Sequence, residues 1–148
     1  MLRHARLRRT AAAGLAAAAA TVALSTAAAA TPLHAQSAAV SAGCTGASCN
    51  GKDPHDMGCD ADATVVDTVW DGNVRLDLRW SQACRANWTR ISNLVTSWPY
   101  DFRVENKRGD VQRENFGWFG PSSGWTNMVN GEGILARACD NSVCTGWH

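Results

Sequence analysis

Apolar and polar residues alternate most regularly between residues 63 and 80. The stretch 63–70 (ATVVDTVW) is rich in β-branched residues, and 74–80 (VRLDLRW) places an apolar side chain at every second position. A period of two with charges in between is typical of a half-buried antiparallel strand. The Asp71-Gly72-Asn73 sequence between the two stretches is a strong turn signal. The sequence therefore predicts a β-hairpin here.

Weaker strand patterns follow the hairpin. The stretch 81–88 (SQACRANW) interrupts the alternation and predicts either a short helical turn capped by Ser81 or an irregular corner. An extended pattern resumes at 89–95 and ends at Trp98-Pro99, because the residue before a proline is disfavoured in helices. The stretch 100–106 (YDFRVEN) predicts a strand, with a turn at 107–110.

Glycine and proline interrupt the last third of the chain. Residues 115–125 (NFGWFGPSSGW) predict an aromatic-rich loop, and the runs TNMV and ILARAC flank a turn at 130–133, which predicts a further hairpin. Short strands separated by turns, without a helical pattern longer than two turns, indicate a mainly β fold. We expect a small, disulfide-stapled antiparallel sandwich or barrel with at most one short helical turn.

The first 30 residues have the three parts of a secretory signal peptide: a basic head, an alanine-rich apolar run and a small-residue exit. A transmembrane anchor is the alternative, but a spanning helix needs about 20 predominantly apolar residues, and alanine is only weakly apolar. We predict a signal peptide at 1–30, cleaved after Ala30 or Ala35, a flexible tail at 31–43 and a single cysteine-rich β domain at 44–148. The predicted location is secreted, through the Sec rather than the twin-arginine route.

Removal of this leader changes the sign of the net charge. The whole chain has 14 Lys+Arg against 13 Asp+Glu, but four arginines lie in the leader, which leaves 10 against 13 and a net charge of −3. A nucleic-acid ligand requires a clustered positive face, and the longest remaining basic run is Lys107-Arg108. We therefore predict no nucleic-acid partner, and no membrane span in the mature chain.

An even number of cysteines in an exported domain of this size indicates a disulfide framework. Two pairs enclose four residues each, with turn formers between them, which favours Cys44–Cys49 and Cys139–Cys144 and leaves Cys59 with Cys84. Six cysteines permit fifteen connectivities, and a link between the two ends of the domain stays open. The six residues are Cys44, Cys49, Cys59, Cys84, Cys139 and Cys144.

Two metal sites compete with simpler interpretations. The two Cys-x4-Cys pairs supply four thiolates for zinc, but an oxidising compartment disfavours free thiolates. Asp53, Asp56, Asp60 and Asp62 form a candidate calcium cluster, but their spacing lacks the order of the known calcium loop. Asp-Pro and Asp-x-x-Gly are turn chemistry. We therefore predict turn-forming, solvent-facing aspartates, no metal and no cofactor.

Several short motifs occur together in the cysteine-rich region. The chain has C-x-G-x-x-C at 44–49, G-x-D-P at 51–54, G-C at 58–59, C-x-x-x-W-x-R at 84–90 and ARAC…CTGWH at the end. In combination they resemble a family of small exported cysteine-rich domains of unknown function, common in actinobacteria. The resemblance implies export and a cysteine-rich domain, and it implies no reaction and no substrate.

No catalytic motif stands out. Apart from His34 in the tail, the predicted mature chain has two histidines, His55 and His148, and it lacks G-x-S-x-G, H-E-x-x-H and phosphate-loop motifs. A carboxylate pair for glycoside cleavage stays open, because 13 acidic residues allow many pairs. We predict no catalytic residues, and the chain is not expected to be an enzyme.

The seven tryptophans are the most informative feature of the composition. Trp70, Trp80 and Trp88 fall on strand-like or bridge-adjacent positions and are predicted to pack in the core. Burial is less assured for the rings in the predicted loop. They either pack in the core like the others or stay exposed and form a binding platform for sugars or a partner protein. The platform residues are Trp118, Phe119 and Trp125.

These patterns together predict a secreted, non-catalytic binding or structural domain. Its candidate ligands are cell-wall glycan and an extracellular protein. A secreted inhibitor or effector of a partner enzyme is the first alternative, and a small cell-wall hydrolase is the second.

Overall fold

The computed structural model describes residues 41–95 and 98–148. The predicted signal peptide, and the predicted tail up to residue 40, lie outside the described residues. A 3-10 turn at Gly46–Cys49 and further turns up to residue 62 lead into the strands. These are β1 Thr64–Asp71, β2 Val74–Ser81, β3 Ala86–Ser92, β4 Tyr100–Asn106, β5 Val111–Phe116, β6 Gly124–Trp125, β7 Val129–Asn130 and β8 Ala136–Asp140.

The strands form two antiparallel sheets. The first sheet has the order β1-β2-β3-β6, with the short β7 also paired to β3, and the second has the order β5-β4-β8. The predicted mainly β, antiparallel fold is confirmed, with one short helical turn in the described residues. Over those residues, no helix has both the length and the apolar character that a membrane crossing requires.

The β1-β2 hairpin lies where the alternation predicts it. Asp71 faces Val74 across a two-residue turn, in which Gly72 has a φ of 56°. Glycine reaches this left-handed conformation without a steric penalty. The predicted strand at 100–106 is also found, as β4. β5 has no clear signal in the sequence, because it is an edge strand in which mostly polar residues alternate between exposed and half-buried positions.

The inner faces of the two sheets enclose the main core. Leu76 and Ile91 from the first sheet pack with Phe102 from the second, and Leu78 packs with Val104 and its neighbours. All five side chains are almost completely buried. Burial of a side chain of this size contributes about 1.5–3 kcal/mol to stability, so these residues hold the two sheets together.

A second apolar cluster covers the opposite face of the first sheet. Ala86 and Trp88 of β3 point to this outer face and pack against Met128 and four cysteines of the bridges. Thr89, the residue after Trp88, points to the inner face instead. Its hydroxyl donates a hydrogen bond to the carbonyl oxygen of Arg103 on β4 (2.7 Å). The segment from residue 41 to residue 63 thus lies over the outer face of the sheet.

Three disulfides join the six cysteines in the predicted pairs. Their Cα–Cα distances are 5.2 Å for Cys44–Cys49, 5.7 Å for Cys59–Cys84 and 4.1 Å for Cys139–Cys144. The Cys59–Cys84 bridge attaches the N-terminal segment to the turn between β2 and β3. That turn is an irregular corner rather than a helical one, and it is closed by the N–H of Cys84, which donates to Ser81 Oγ (3.0 Å).

The predicted hairpin around residues 130–133 is wrong. β7 pairs with β3 in the first sheet, whereas β8 pairs with β4 in the second, so the turn carries the chain from one sheet to the other. The side-chain amide of Asn106 on β4 donates to the carbonyl oxygen of Asn130 (2.8 Å) and fastens this crossover. Local turn chemistry predicts a reversal of direction, but it does not determine which strands pair on either side.

One of the three tryptophans predicted to lie in the core is exposed. Trp88 is 3% exposed and Trp80 is half-buried, but Trp70 is 52% exposed. Trp70 lies on β1, which is an edge strand with mostly exposed or half-buried side chains. The β-branched pattern indicates a strand correctly, but it carries no information on whether another element covers that strand.

Several buried or half-buried carboxylates stabilise the folded state in their charged form. Burial raises the pKa of Glu105, but hydrogen bonds and charges from Arg103 and Arg137 outweigh it and hold the pKa below its usual range. Burial also raises the pKa of Asp67, and hydrogen bonds from the backbone of Gly146 and Thr68 and from His148 outweigh it in the same way. Both carboxylates are harder to protonate in the folded state than in the unfolded state.

We expect the free energy of unfolding to fall as the pH drops below about 4. A depressed pKa in the folded state contributes stability above the unfolded value, near 4 for carboxylates, and this contribution is lost on titration toward the folded value. Urea unfolding at a series of pH values from 6 to about 2.5 measures this. In the Glu105→Gln variant, the free energy of unfolding should fall less steeply with decreasing pH than in the Glu114→Gln variant. Equal pH dependence in the two variants would contradict the role assigned to Glu105.

Candidate ligand-binding site

Three aromatic side chains are exposed at the start of β4 and in the loop after β5. Trp118 is 58% exposed, Phe119 is 83% exposed and Trp98 is 67% exposed. The ring centroids of Trp98 and Trp118 stand 4.9 Å apart, so two segments distant in sequence meet here. We call Trp98, Trp118 and Phe119 the aromatic surface. The sequence pattern identifies the last two but misses Trp98, because Trp-Pro indicates only the end of a strand.

Hydrogen bonds hold the loop that carries Trp118 and Phe119. The N–H of Leu94 donates to the carbonyl oxygen of Ser122 (2.9 Å), and the N–H of Gly120 donates to that of Gly117 (3.1 Å). Just before the loop, the ring of Phe116 packs edge-on against the buried ring of Phe102 at 5.2 Å. The exposed rings are therefore carried by an anchored loop, which reduces the ordering that binding requires.

Trp125, the third predicted platform residue, has a different setting. It lies on β6, opposite Arg90 of β3, and is 37% exposed. Its indole N–H donates to Asp53 Oδ2 (3.0 Å), and the ring of His55 lies over it with centroids 4.1 Å apart. The cysteine-rich N-terminal segment is therefore docked onto this tryptophan.

Three of the four N-terminal aspartates make specific side-chain contacts rather than facing solvent as predicted, whereas Asp56 is exposed. Asp53 Oδ1 accepts the backbone N–H groups of His55 (2.7 Å) and Asp56 (3.2 Å), which is the predicted turn chemistry. Asp60 Oδ2 lies 2.8 Å from His55 Nδ1, and Asp62 accepts hydrogen bonds from the chain around β2. Burial raises the pKa of Asp53, but the hydrogen bonds from Trp125 and the turn outweigh it and lower the pKa. Most carboxylates of the candidate calcium cluster are therefore engaged in contacts within the protein.

A cavity of about 270 Å³ lies between this segment and the outer face of the first sheet. Arg79 on β2 faces Trp88 on β3, and Arg90 is two residues further along β3, so the three side chains share that face. The complete lining is His55, Asp60, Arg79, Trp88, Arg90, Ser123 and Trp125. We call this cavity the arginine pocket. Because its walls come from four separate segments, the sequence pattern does not reveal it.

Among the residues that the structure describes, the two arginines of the pocket lack close carboxylate partners, and one of them lacks a hydrogen-bond partner for a buried N–H. Arg79 Nη2 donates to the carbonyl oxygen of Ala63 (3.0 Å), but its buried Nε has no hydrogen-bond partner. Burial and the nearby charge of Arg90 lower the pKa of Arg79. Over the described residues, neither Arg79 nor Arg90 has a carboxylate oxygen within 4.0 Å. The carboxylates of Asp60 and Asp77 pair with His55 and Arg75 instead.

Two carboxylates meet in another cavity, of about 210 Å³, at the end of β1 and β8. Burial and the charge of Asp140, with which it shares a hydrogen bond, raise the pKa of Asp71. Tyr100 donates its hydroxyl to Asp140 Oδ2 (2.5 Å), and Asp140 Oδ1 accepts the N–H groups of Ser142 and Val143. Asp140 therefore has a structural role in the last disulfide turn.

The cysteines and His148 make structural contacts in the described residues. The sulfur atoms of Cys44, Cys49, Cys59 and Cys84 lie within 4.8 Å of one another, but both pairs are disulfides. This set differs from the two Cys-x4-Cys pairs that the zinc alternative combines. His148 Nε2 lies 3.1 Å from Asp67 Oδ2 at the end of the chain and is not part of the arginine pocket lining.

Comparison with known proteins gives a family but no activity. The model of the family described as "Protein of unknown function (DUF2690)" matches residues 47–139, which include most of the N-terminal segment with Cys49 and Cys59 and most of both sheets. Searches of the curated proteins and of the solved structures found no match.

Proposed function

Because the chain belongs to DUF2690, a family of unknown function, we propose from its geometry that it is a secreted, non-catalytic domain that binds cell-wall glycan. Three disulfides support an oxidising, extracellular setting, because such bridges are rare in reducing compartments. The leader-like N-terminal sequence supports the same setting.

The aromatic surface is the observation that carries this proposal. Trp98 and Trp118 form an exposed pair of rings in contact, with the exposed Phe119 next to Trp118 in the chain, and exposed apolar patches mark sites that a ligand or partner covers. The indole rings of Trp98 and Trp118 offer flat apolar faces, and a sugar ring presents a matching face of C–H groups. Three side chains form too small a patch for a stable protein partner, which buries about 800 Å² on each side. A glycan chain therefore fits this surface better than a protein does.

We expect the mature protein to co-sediment with purified bacterial cell wall through the aromatic surface. Trp98→Ala/Trp118→Ala should lower the bound fraction at least fivefold, because stacking on an aromatic ring contributes the larger part of such contacts. Leu135→Ala is the matched control, since Leu135 is an exposed apolar residue beside the start of β8, at the other end of the second sheet. Equal binding by the double variant and the control would contradict the proposal. Capture of a soluble protein without wall binding would favour an inhibitor instead.

Asp71 and Asp140 support a second candidate function, a small wall hydrolase. The raised pKa of Asp71 is a property that the general acid of a glycosidase requires, although its hydrogen bond to Asp140 holds the two carboxyl groups closer than the separation of about 5–9.5 Å in a glycosidase pair. The co-sedimentation assay distinguishes the two functions when its supernatant is also analysed for reducing sugar. We expect no release above the protein-free blank. Release that Asp71→Asn abolishes would establish the hydrolase in place of the binding domain.

A further inference from the structure

We propose that the arginine pocket is a subsite for an oxyanion, the carboxylate or phosphate group of an acidic glycan. The identification of the ligand as a glycan rests on the proposed function, whereas the anion chemistry rests on the pocket itself.

The pocket concentrates positive charge in a domain whose own charge is negative. Arg79 and Arg90 both line it together with one carboxylate, Asp60, which lies 2.8 Å from His55 Nδ1 and, like Asp77, acts on Arg79 as a negative charge. Asp77, which lies opposite Arg90 on β2, is paired with Arg75 at 2.8 Å. The predicted mature chain has a net charge of −3. The lining therefore carries the charges of two arginines against one carboxylate, a local excess of positive charge.

Leaving these arginines without an anion is unfavourable in the folded protein. A buried N–H without a partner loses its hydration and gains nothing in return, and two guanidinium groups close together repel each other. Arg79 shows both effects: its buried Nε has no partner, and burial, followed by the charge of Arg90, lowers its pKa against the opposing charges of Asp77 and Asp60. An oxyanion bound beside both arginines relieves the repulsion and accepts charge-assisted hydrogen bonds from guanidinium N–H groups.

The remaining walls fit a ligand with a ring. Trp125 is partly exposed and braced by His55 and by its hydrogen bond to Asp53, so its indole plane is fixed before any ligand arrives. Ser123 adds a hydroxyl group to the rim. At about 270 Å³ the pocket lies just below the usual range of pockets for drug-sized ligands, which begins near 300 Å³. Its size therefore suits one acidic sugar unit rather than a longer segment.

The subsite is tested by titrating the isotope-labelled mature protein with glucuronate, with inorganic phosphate and with glucose at constant ionic strength. We expect saturable shifts of the Trp125 indole N–H and the Arg90 side-chain resonances with at least one of the two anions, and none with glucose. Stronger binding of glucuronate indicates a carboxylate as the natural group, and stronger binding of phosphate indicates a phosphate.

Arg90→Gln should weaken the affinity for the anion about tenfold, because it removes one charged donor from an exposed position without disturbing the core. Arg113→Gln removes the same charge from an exposed position on β5 in the other sheet and should change the affinity less than twofold. No saturable shift with either anion, or equal losses in the two variants, would overturn the inference. A positive titration in a protein that fails to bind wall would leave the subsite standing and reject the glycan-binding function.

Discussion

Replacing both Cys59 and Cys84 with alanine is expected to lower the free energy of unfolding by about 3.5 kcal/mol through the loss of the cross-link alone. The bridge spans 25 residues, which is the longest separation of the three. It also connects the N-terminal segment to the corner between β2 and β3, and both sulfur atoms are fully buried in the cluster with Trp88. Lost packing should add to the entropic effect.

The short bridges provide the comparison. Cys139→Ala/Cys144→Ala opens a separation of 5 residues, for which the same entropic argument gives about 2 kcal/mol. Unfolding in guanidinium, followed by tryptophan fluorescence, measures both double variants. Equal losses, or a larger loss for the 139–144 pair, would show that the N-terminal segment is not held to the sheet mainly by Cys59–Cys84.

Phe102→Ala is expected to lower the free energy of unfolding by about 3–5 kcal/mol. Phe102 is 1% exposed, and it lies in the cluster that joins Leu76 and Ile91 of the first sheet to the second. Its truncation removes buried apolar surface and leaves a cavity that the surrounding strands fill only in part. The fluorescence-monitored unfolding midpoint reports this loss.

Phe119→Ala is the matched control for Phe102→Ala. The chemical change is identical, but Phe119 is 83% exposed, so the free energy of unfolding should change by less than about 0.5 kcal/mol. Comparable losses at the two positions would contradict both the inter-sheet core and the assignment of Phe119 to an exposed surface.

Local chemistry explains which parts of the fold are predictable from sequence. The Asp-Gly turn and the alternation around it determine the β1-β2 hairpin, and turn formers between Cys139 and Cys144 bring these cysteines together. By contrast, the strand partners of β7 and β8 depend on the crossover between the sheets, which Asn106 fastens from a distant strand. No pattern within a short window contains that information.

The candidate sites are likewise predictable only where they depend on residues that are close together in the sequence. Composition of the loop at 115–125 marks Trp118 and Phe119 as candidates for exposed rings without deciding between exposure and packing, and Trp98, which meets Trp118, comes from another segment. The arginine pocket depends on contacts such as the hydrogen bond from Trp125 to Asp53, which are 72 positions apart. The N-terminal cysteine-rich stretch therefore has two roles: its disulfides stabilise the fold, and its residues form one wall of that pocket.

The central claim, that the tryptophans of the aromatic surface and the arginine pocket bind wall glycan, is tested most directly by one heteronuclear spectrum. Soluble fragments of purified wall are added to the labelled mature protein, and the seven indole N–H resonances are followed. We expect the resonances of Trp98, Trp118 and Trp125 to shift, and that of Trp147, which packs against Arg137 and does not line the arginine pocket, to stay in place. An unchanged spectrum, or shifts confined to Trp147, would contradict the claim.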